Sequence, residues 1–141
     1  MAIAYYAENI SFPKIKKREI SKWIKDVAST YHKRVGEITY IFCPDDEILR
    51  INQQYLNHNY YTDIITFDYS ENDLISGDLF ISLDTVKSNS EKYRVDYPQE
   101  LYRVMIHGIL HLCGLKDKTP EEEKTMRIME EQALKILNLE I

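Results

Sequence analysis

The sequence predicts one compact α/β (α+β) domain of 141 residues, with a small mixed sheet of about four strands packed with about five helices. Three observations predict it. β-rich runs with period-two alternation share the chain with segments carrying 3.6-period apolar stripes. Hydrophobic residues make up 44% and charged residues 29%, enough for one ordinary core and too little chain for two. Four glycines and four prolines leave little room for linkers, and no internal repeat is visible.

The elements follow in chain order. Residues 2–6 read as a short strand. Ile20, Trp23, Ile24, Val27 and Tyr31 recur at helical spacing and define an amphipathic helix with lysines on its outer face. In residues 37–42, Ile38, Tyr40 and Phe42 alternate with Thr39 and Ile41, a strand pattern. A helix then opens at Pro44 and Asp45, with Asp45 the expected N-cap, runs through Ile48, Leu49, Ile51 and Tyr55, and fades at Asn57. Residues 64–69 and 78–82 are two β-rich runs joined by a polar turn ending in Gly77, which predicts a hairpin. A further helix starts near Asp84.

Pro98 suits the first turn of a mostly buried helix carrying Leu101, Val104, Met105, Ile109 and Leu112, with Gly114 as its stop. Thr119, Pro120 and the glutamates 121–123 start the last helix: a hydroxyl cap, a fixed φ, and carboxylates at the positive end of the dipole. Met126, Met129, Ala133 and Ile136 are its expected inward face. Cys43 and Cys113 are too few for a disulfide scaffold and read as small core residues.

A net charge of −5 argues against a protein coated for nucleic acid. The charge is uneven, however. Residues 11–35 hold Lys14, Lys16, Lys17, Arg18, Lys22, Lys25, Lys33 and Arg34 against Glu19 and Asp26, a local +6 that leaves −11 elsewhere. A solvated helix face accounts for such a run first; contact with RNA phosphates, through Lys16, Lys17, Arg18 and Lys22, is the alternative. No apolar run reaches the roughly 20 residues needed to span a bilayer, and the start MAIAYYAENI lacks a basic leader. The expectation is a soluble, cytoplasmic protein with no membrane partner.

The chemistry-bearing residues sit on the buried helix. His107 and His111 are four apart, so both imidazoles project from one face, about one turn from each other. Gly114 breaks the helix three residues later and Asp117 follows after three more, so the chain can turn back with a third ligand. Two histidines and a carboxylate meet the needs of a catalytic divalent ion, which keeps one position for water and lowers its pKa toward neutrality. A satisfied core histidine pair is the bland alternative. The spacing is zincin-like, with a difference: Gly108 stands where a peptidase carries its Glu base, which argues against peptide hydrolysis. Asp117 in place of a third histidine adds negative charge to the metal shell and weakens the metal as a Lewis acid.

The stretch His107-Gly108-Ile109-Leu110-His111-Leu112-Cys113-Gly114 resembles the hallmark H-G-x-L-H-L-x-G of the YbeY-type endoribonucleases that mature bacterial ribosomal RNA, whose Y-D-H ending is here Leu115-Lys116-Asp117. The segment from Leu49 to Tyr55, the block from Thr62 to Phe67 and the block from Gly77 to Ser82 match the same family in order and spacing. The resemblance implies one metallo-endoribonuclease domain over residues 1–141. It also implies one zinc ion on His107, His111 and Asp117, with other transition metals admitted by Asp117. The implied activity is metal-dependent, single-strand-specific cleavage in ribosomal RNA processing, including maturation of the 16S rRNA 3′ end, and in ribosome quality control. The implied partners are single-stranded RNA, ribosomal RNA and small-subunit components.

The family carries an Arg shortly after the Tyr55 position, where this chain reads Leu56-Asn57-His58-Asn59-Tyr60-Tyr61. His58 is then a phosphate-binding or catalytic candidate, and Tyr60 and Tyr61 could stack on bases. The alternative for all three is ordinary loop residues. Asp63 is either a carboxylate orienting groups near the metal or a turn residue capping its own backbone. Two other function classes compete: a metal hydrolase of another substrate such as a peptide, and a ribosome-associated binding module with a structural metal.

Overall fold

A computed structural model of the chain describes residues 2–57 and 62–137. The order is β1 (Ile3–Ala7), α1 (Lys17–Thr30), β2 (Arg34–Cys43), α2 (Asp45–Leu56), β3 (Ile64–Asp68), β4 (Leu74–Ser82), α3 (Leu83–Tyr93), α4 (Tyr97–Leu112) and α5 (Pro120–Ile136). The strands form one mixed sheet in the order β1-β2-β4-β3, parallel except for the antiparallel edge pair β3–β4. His58, Tyr60 and Tyr61 lie outside the described residues.

Strand alternation sorts side chains to two faces. Ile38, Tyr40 and Phe42 of β2 and Ile75, Leu79 and Ile81 of β4 join the main core with α1, α4 and α5. Cys43, Ile65, Phe67 and Phe80 on the other face form a smaller cluster with Ile48 and Ile51 of α2. A register slip between Val35 and Ile38 breaks the alternation, so both reach the main core although they are three residues apart. α4 is the central helix: ten of its sixteen residues are buried, and the buried Tyr40 hydroxyl donates to its Met105 carbonyl at 2.8 Å. Trp23 fixes α1 to α5 by donating its indole N–H to the Ala133 carbonyl at 2.8 Å.

Several expectations need correction. Asp45 is the first helical residue of α2, not its N-cap; Pro44 occupies the cap without a side-chain bond. The Asp45 carboxylate instead accepts from the hydroxyls of Ser82 and Thr85, and its backbone N–H donates to the Asp84 carboxylate, so the start of α3 caps that of α2 while Ser82 caps α3 itself by accepting from Thr85 N–H. Ile136 is exposed, because the core-facing stripe of α5 runs from Met126 through Ala133 and Leu134 to Leu137 and leaves Ile136 at its edge. Gly77 does not end the hairpin turn. It lies inside β4, which begins at Leu74, and the turn occupies residues 69–73.

Gly77 is required there by close approach. A Cβ would lie 2.5 Å from the Phe67 carbonyl oxygen across the hairpin and 3.1 Å from Leu112 Cδ2 above it. The carbonyl belongs to backbone and cannot rotate away. Gly77→Ala is therefore expected to destabilise the fold by roughly 2–3 kcal/mol, the range of core overpacking, read as a lower urea midpoint at unchanged slope.

Candidate metal centre

The His111 end of α4 is closed by a Schellman motif: Leu115 N–H donates to the Leu110 carbonyl and Gly114 N–H to the His111 carbonyl, at 3.0 and 2.9 Å. Gly114 takes φ +105°, a left-handed conformation that side-chain-bearing residues rarely adopt. That reversal, with Leu115 packed on the main core, returns Asp117 to the helix. Its Oδ2 stands 3.3 Å from His107 Nε2 and 3.3 Å from His111 Nε2, and the two Nε2 atoms are 3.0 Å apart.

Ligands about 2.0–2.1 Å from a tetrahedral zinc ion are roughly 3.3 Å from one another. Two edges of the observed triangle have that length and the third, between the imidazoles, is shorter at 3.0 Å. His107 Nδ1 donates to the Glu130 carboxylate at 2.6 Å and His111 Nδ1 to the Leu115 carbonyl at 3.0 Å. Neither acceptor has a proton to give, so each neutral ring keeps its hydrogen on Nδ1 and presents a lone pair at Nε2. Two such lone pairs and a carboxylate oxygen repel at these separations unless a cation lies among them. His107, His111 and Asp117 are thus a group that could hold a metal ion.

Behind the triangle runs a buried charge cluster. Arg103 grips Glu100 with two bonds, Nε–Oε1 at 2.9 Å and Nη2–Oε2 at 2.6 Å, and donates from Nη1 to Glu130 at 3.0 Å. Glu100 and Glu130 are each only 2% exposed. Burial opposes the Arg103 charge, yet the bonds from Glu100 and the charge of Glu130 outweigh it and hold the guanidinium above its ordinary pKa. Burial likewise acts to raise Glu130, but the bond from His107 and the charge of Arg103 win, leaving its carboxyl below the ordinary value. Asp63 Oδ2 is 3.8 Å from Arg103 Nη2; there burial wins and raises the carboxyl.

A cavity of about 610 Å³ opens at the triangle. His107, His111 and Asp117 line it together with Asn52, Leu56, Asp63, Thr66 and Lys116. Gly108 faces the sheet, where a Cβ would already be 2.8 Å from Leu79 Cδ2 and 2.9 Å from Ile64 Cδ1. A Glu at that position would collide with Leu79 and Ile64, so the close seat of α4 on β3 and β4 leaves no room for the peptidase base.

The sequence-predicted residues divide accordingly. His107, His111 and Asp117 come together as expected. Asp63 accepts Ser82 N–H through its backbone carbonyl at 2.9 Å, and its side chain lies on the cavity wall. None of Lys16, Lys17, Arg18 and Lys22 lines the cavity. Lys17 lies over the Phe12 ring at 4.6 Å, and Lys22 pairs with Asp26 at 3.1 Å. Phe12 packs edge-on against Phe42, which is registered with Ile81, whereas Leu112 approaches Gly77, four residues nearer the start of β4. The basic start of α1 is thus anchored over β2, whereas the cavity is walled by β3, which lies beyond β4 in the sheet.

Sequence reasoning missed Glu100, Arg103 and Glu130. For Glu100 and Arg103 the signal was present: charged residues on a helix otherwise read as buried, with Arg103 one turn before His107. Cys113 is buried and outside the triangle, as expected, and Cys43 is fully buried. Burial pushes the two thiols up to about 11 and about 12. At pH 8 both stay protonated, so iodoacetamide is expected to modify neither in the folded protein and both after denaturation.

A model of the Endoribonuclease YbeY family matches residues 5–138. The Endoribonuclease YbeY of Parabacteroides distasonis is 62% identical over 97% of this chain and 96% of its own length. That of Phocaeicola vulgatus is 61% identical over 97% of this chain and 99% of its own. The fold also matches a solution structure of a Thermotoga maritima protein, with a TM-score of 0.66 at 25% identity, covering 96% of this chain and 91% of the other. The buried helix with its two histidines, the glycine reversal and the sheet beneath it are thus parts of a chain that belongs to the Endoribonuclease YbeY family.

Proposed function

We propose that the chain is a metal-dependent endoribonuclease that cuts single-stranded RNA, acting in the cytoplasm in ribosomal RNA processing, including 16S rRNA 3′ end maturation, and in ribosome quality control. The observation that carries this reading is the His107–His111–Asp117 triangle opening into a cavity, in a chain whose relatives are named endoribonucleases. Two imidazoles and a carboxylate suit zinc and admit other transition metals. When bound, the ion would supply Lewis-acid polarisation of a phosphoryl oxygen.

The chain's own residues supply the rest. Asp63, its carboxyl raised by burial, faces the cavity and is placed to hold or release a proton. Lys116, exposed on the cavity rim beside Asp117, offers a cation to a backbone phosphate. An unpaired strand can splay its bases and bend its backbone into such a cavity, which a stacked duplex cannot. The basic start of α1 would attract RNA beyond the cut segment. Neutralising Lys16, Lys17 and Arg18 is expected to weaken RNA binding and flatten its salt dependence by about 0.7 per lost contact, with cleavage of saturating RNA unchanged. Equal affinity and slope would remove α1 from the interface.

The deciding experiment combines elemental analysis with cleavage of matched single- and double-stranded RNA. About one metal ion per chain and single-strand cleavage that stops on chelation and returns with zinc are the expected results. Metal-free protein that still cuts would overturn the metal reading; bound metal without RNA cleavage would favour a binding module.

A further inference from the structure

We infer that Glu130 is the positioning residue of His107, and that Arg103, clamped by Glu100, holds Glu130 so that Nε2 of His107 faces the ligand triangle. The inference deepens the metal reading above and rests on it for its effect on affinity. Its geometry is independent of any ion.

The two histidines are oriented by different means. His111 Nδ1 is tied to a neutral backbone carbonyl, Leu115, fixed by the Schellman turn. His107 Nδ1 is tied at 2.6 Å to a carboxylate that comes from another helix, twenty-three residues away. Glu130 cannot rotate to another partner, because Arg103 Nη1 occupies its Oε1 at 3.0 Å while Oε2 takes the imidazole. Arg103 is itself held in the plane of Glu100 by two bonds. The chain of contacts is thus Glu100, Arg103, Glu130, His107, and each group has its donors or acceptors directed at the next.

Charge makes the arrangement more than packing. Glu100 and Glu130 meet on Arg103, Asp63 lies 3.8 Å from Arg103, and the half-exposed Arg127 stands 3.9 Å from Glu130, so three carboxylates face two guanidiniums and the cluster carries surplus negative charge beside His107. A carboxylate on Nδ1–H raises the basicity of Nε2 and fixes the ring, and outer partners of this kind are worth 10–100-fold in metal affinity. Purely apolar packing between α4 and α5 would serve stability as well or better.

The test uses Glu130→Leu, Glu130→Gln and Arg103→Lys in the full chain, with two readouts. The first is zinc affinity by competition with a chromophoric chelator. The second is the His107 tautomer in metal-free protein, read from long-range proton–nitrogen NMR correlations. Glu130→Leu is expected to lower zinc affinity about 10–100-fold and to convert His107 from the Nδ1–H form to a tautomer mixture. Glu130→Gln keeps an acceptor without the charge and is expected to retain the tautomer with an intermediate loss. Arg103→Lys, which loses the fork, is expected to fall between wild type and Glu130→Leu. If Glu130→Leu does not fold, the other two variants carry the test. Folded variants with wild-type affinity and an unchanged tautomer would overturn the inference. A tautomer change in a protein that binds no zinc would uphold the positioning role while overturning the metal reading.

Discussion

His111→Ala is expected to reduce bound metal from about one ion per chain to near zero and to abolish RNA cleavage. The triangle has three donors, each about 3 Å from the other two. Removing one leaves two ligands and an open position to bulk water. The affinity loss should exceed about 100-fold, the top of the range seen when only an outer partner is changed. The fold should survive: the His111 side chain is 27% exposed, and its one other contact is the Leu115 carbonyl, which can bond water instead. Thermal unfolding separates the two effects. A ligand at a thousand times its Kd adds about 4 kcal/mol to the native state, so wild type should gain several degrees on adding zinc while His111→Ala gains none. Cys113→Ala, two residues on and outside the triangle, should behave as wild type in metal content and cleavage. Full activity in His111→Ala would remove the site.

How much of this was legible in the sequence depended on how local the cause was. Helix starts and stops are local, so Thr119 with Pro120, and Gly114, announced their elements; the hydroxyl cap and the reversal stand where expected, and Glu122 adds a capping box. His107 and His111 were legible because four residues on a helix is a geometric statement by itself. Asp117 needed only the glycine turn between. Gly77 misled for the opposite reason: a glycine beside polar residues reads as a turn, whereas its need came from the Phe67 carbonyl and Leu112, which no local window contains. Asp45 misled likewise, since its hydroxyl partners, Ser82 and Thr85, lie 37 and 40 residues away. Glu130 was unreadable because its role exists only once α5 packs on α4. The basic stretch around α1 was visible as charge, but its seat over β2, with β4 between it and the β3 wall of the cavity, follows from strand order, not from composition.

Arg103→Met is expected to cost about 3–5 kcal/mol of stability, the penalty for leaving a buried charge without its partner. Arg103 is the common partner of Glu100 and Glu130, and its own side chain is only 15% exposed. With it gone, two carboxylates that are each 2% exposed face one another in the seam between α4 and α5. A domain of ordinary stability has about 5–15 kcal/mol in total, so this one change removes a large share. It should lower Tm by roughly 10–20 °C for a chain of this size. Methionine fills most of the arginine stem's volume, so lost packing contributes little. The charge argument has its own control. Adding Glu100→Gln and Glu130→Gln to Arg103→Met removes the uncompensated charges and should recover more than half of the loss. A triple variant no more stable than Arg103→Met would show that hydrogen bonds and packing, not charge, hold the seam. The recovered triple variant should still bind zinc more weakly than wild type, because it regains the fold without the carboxylate that fixes His107.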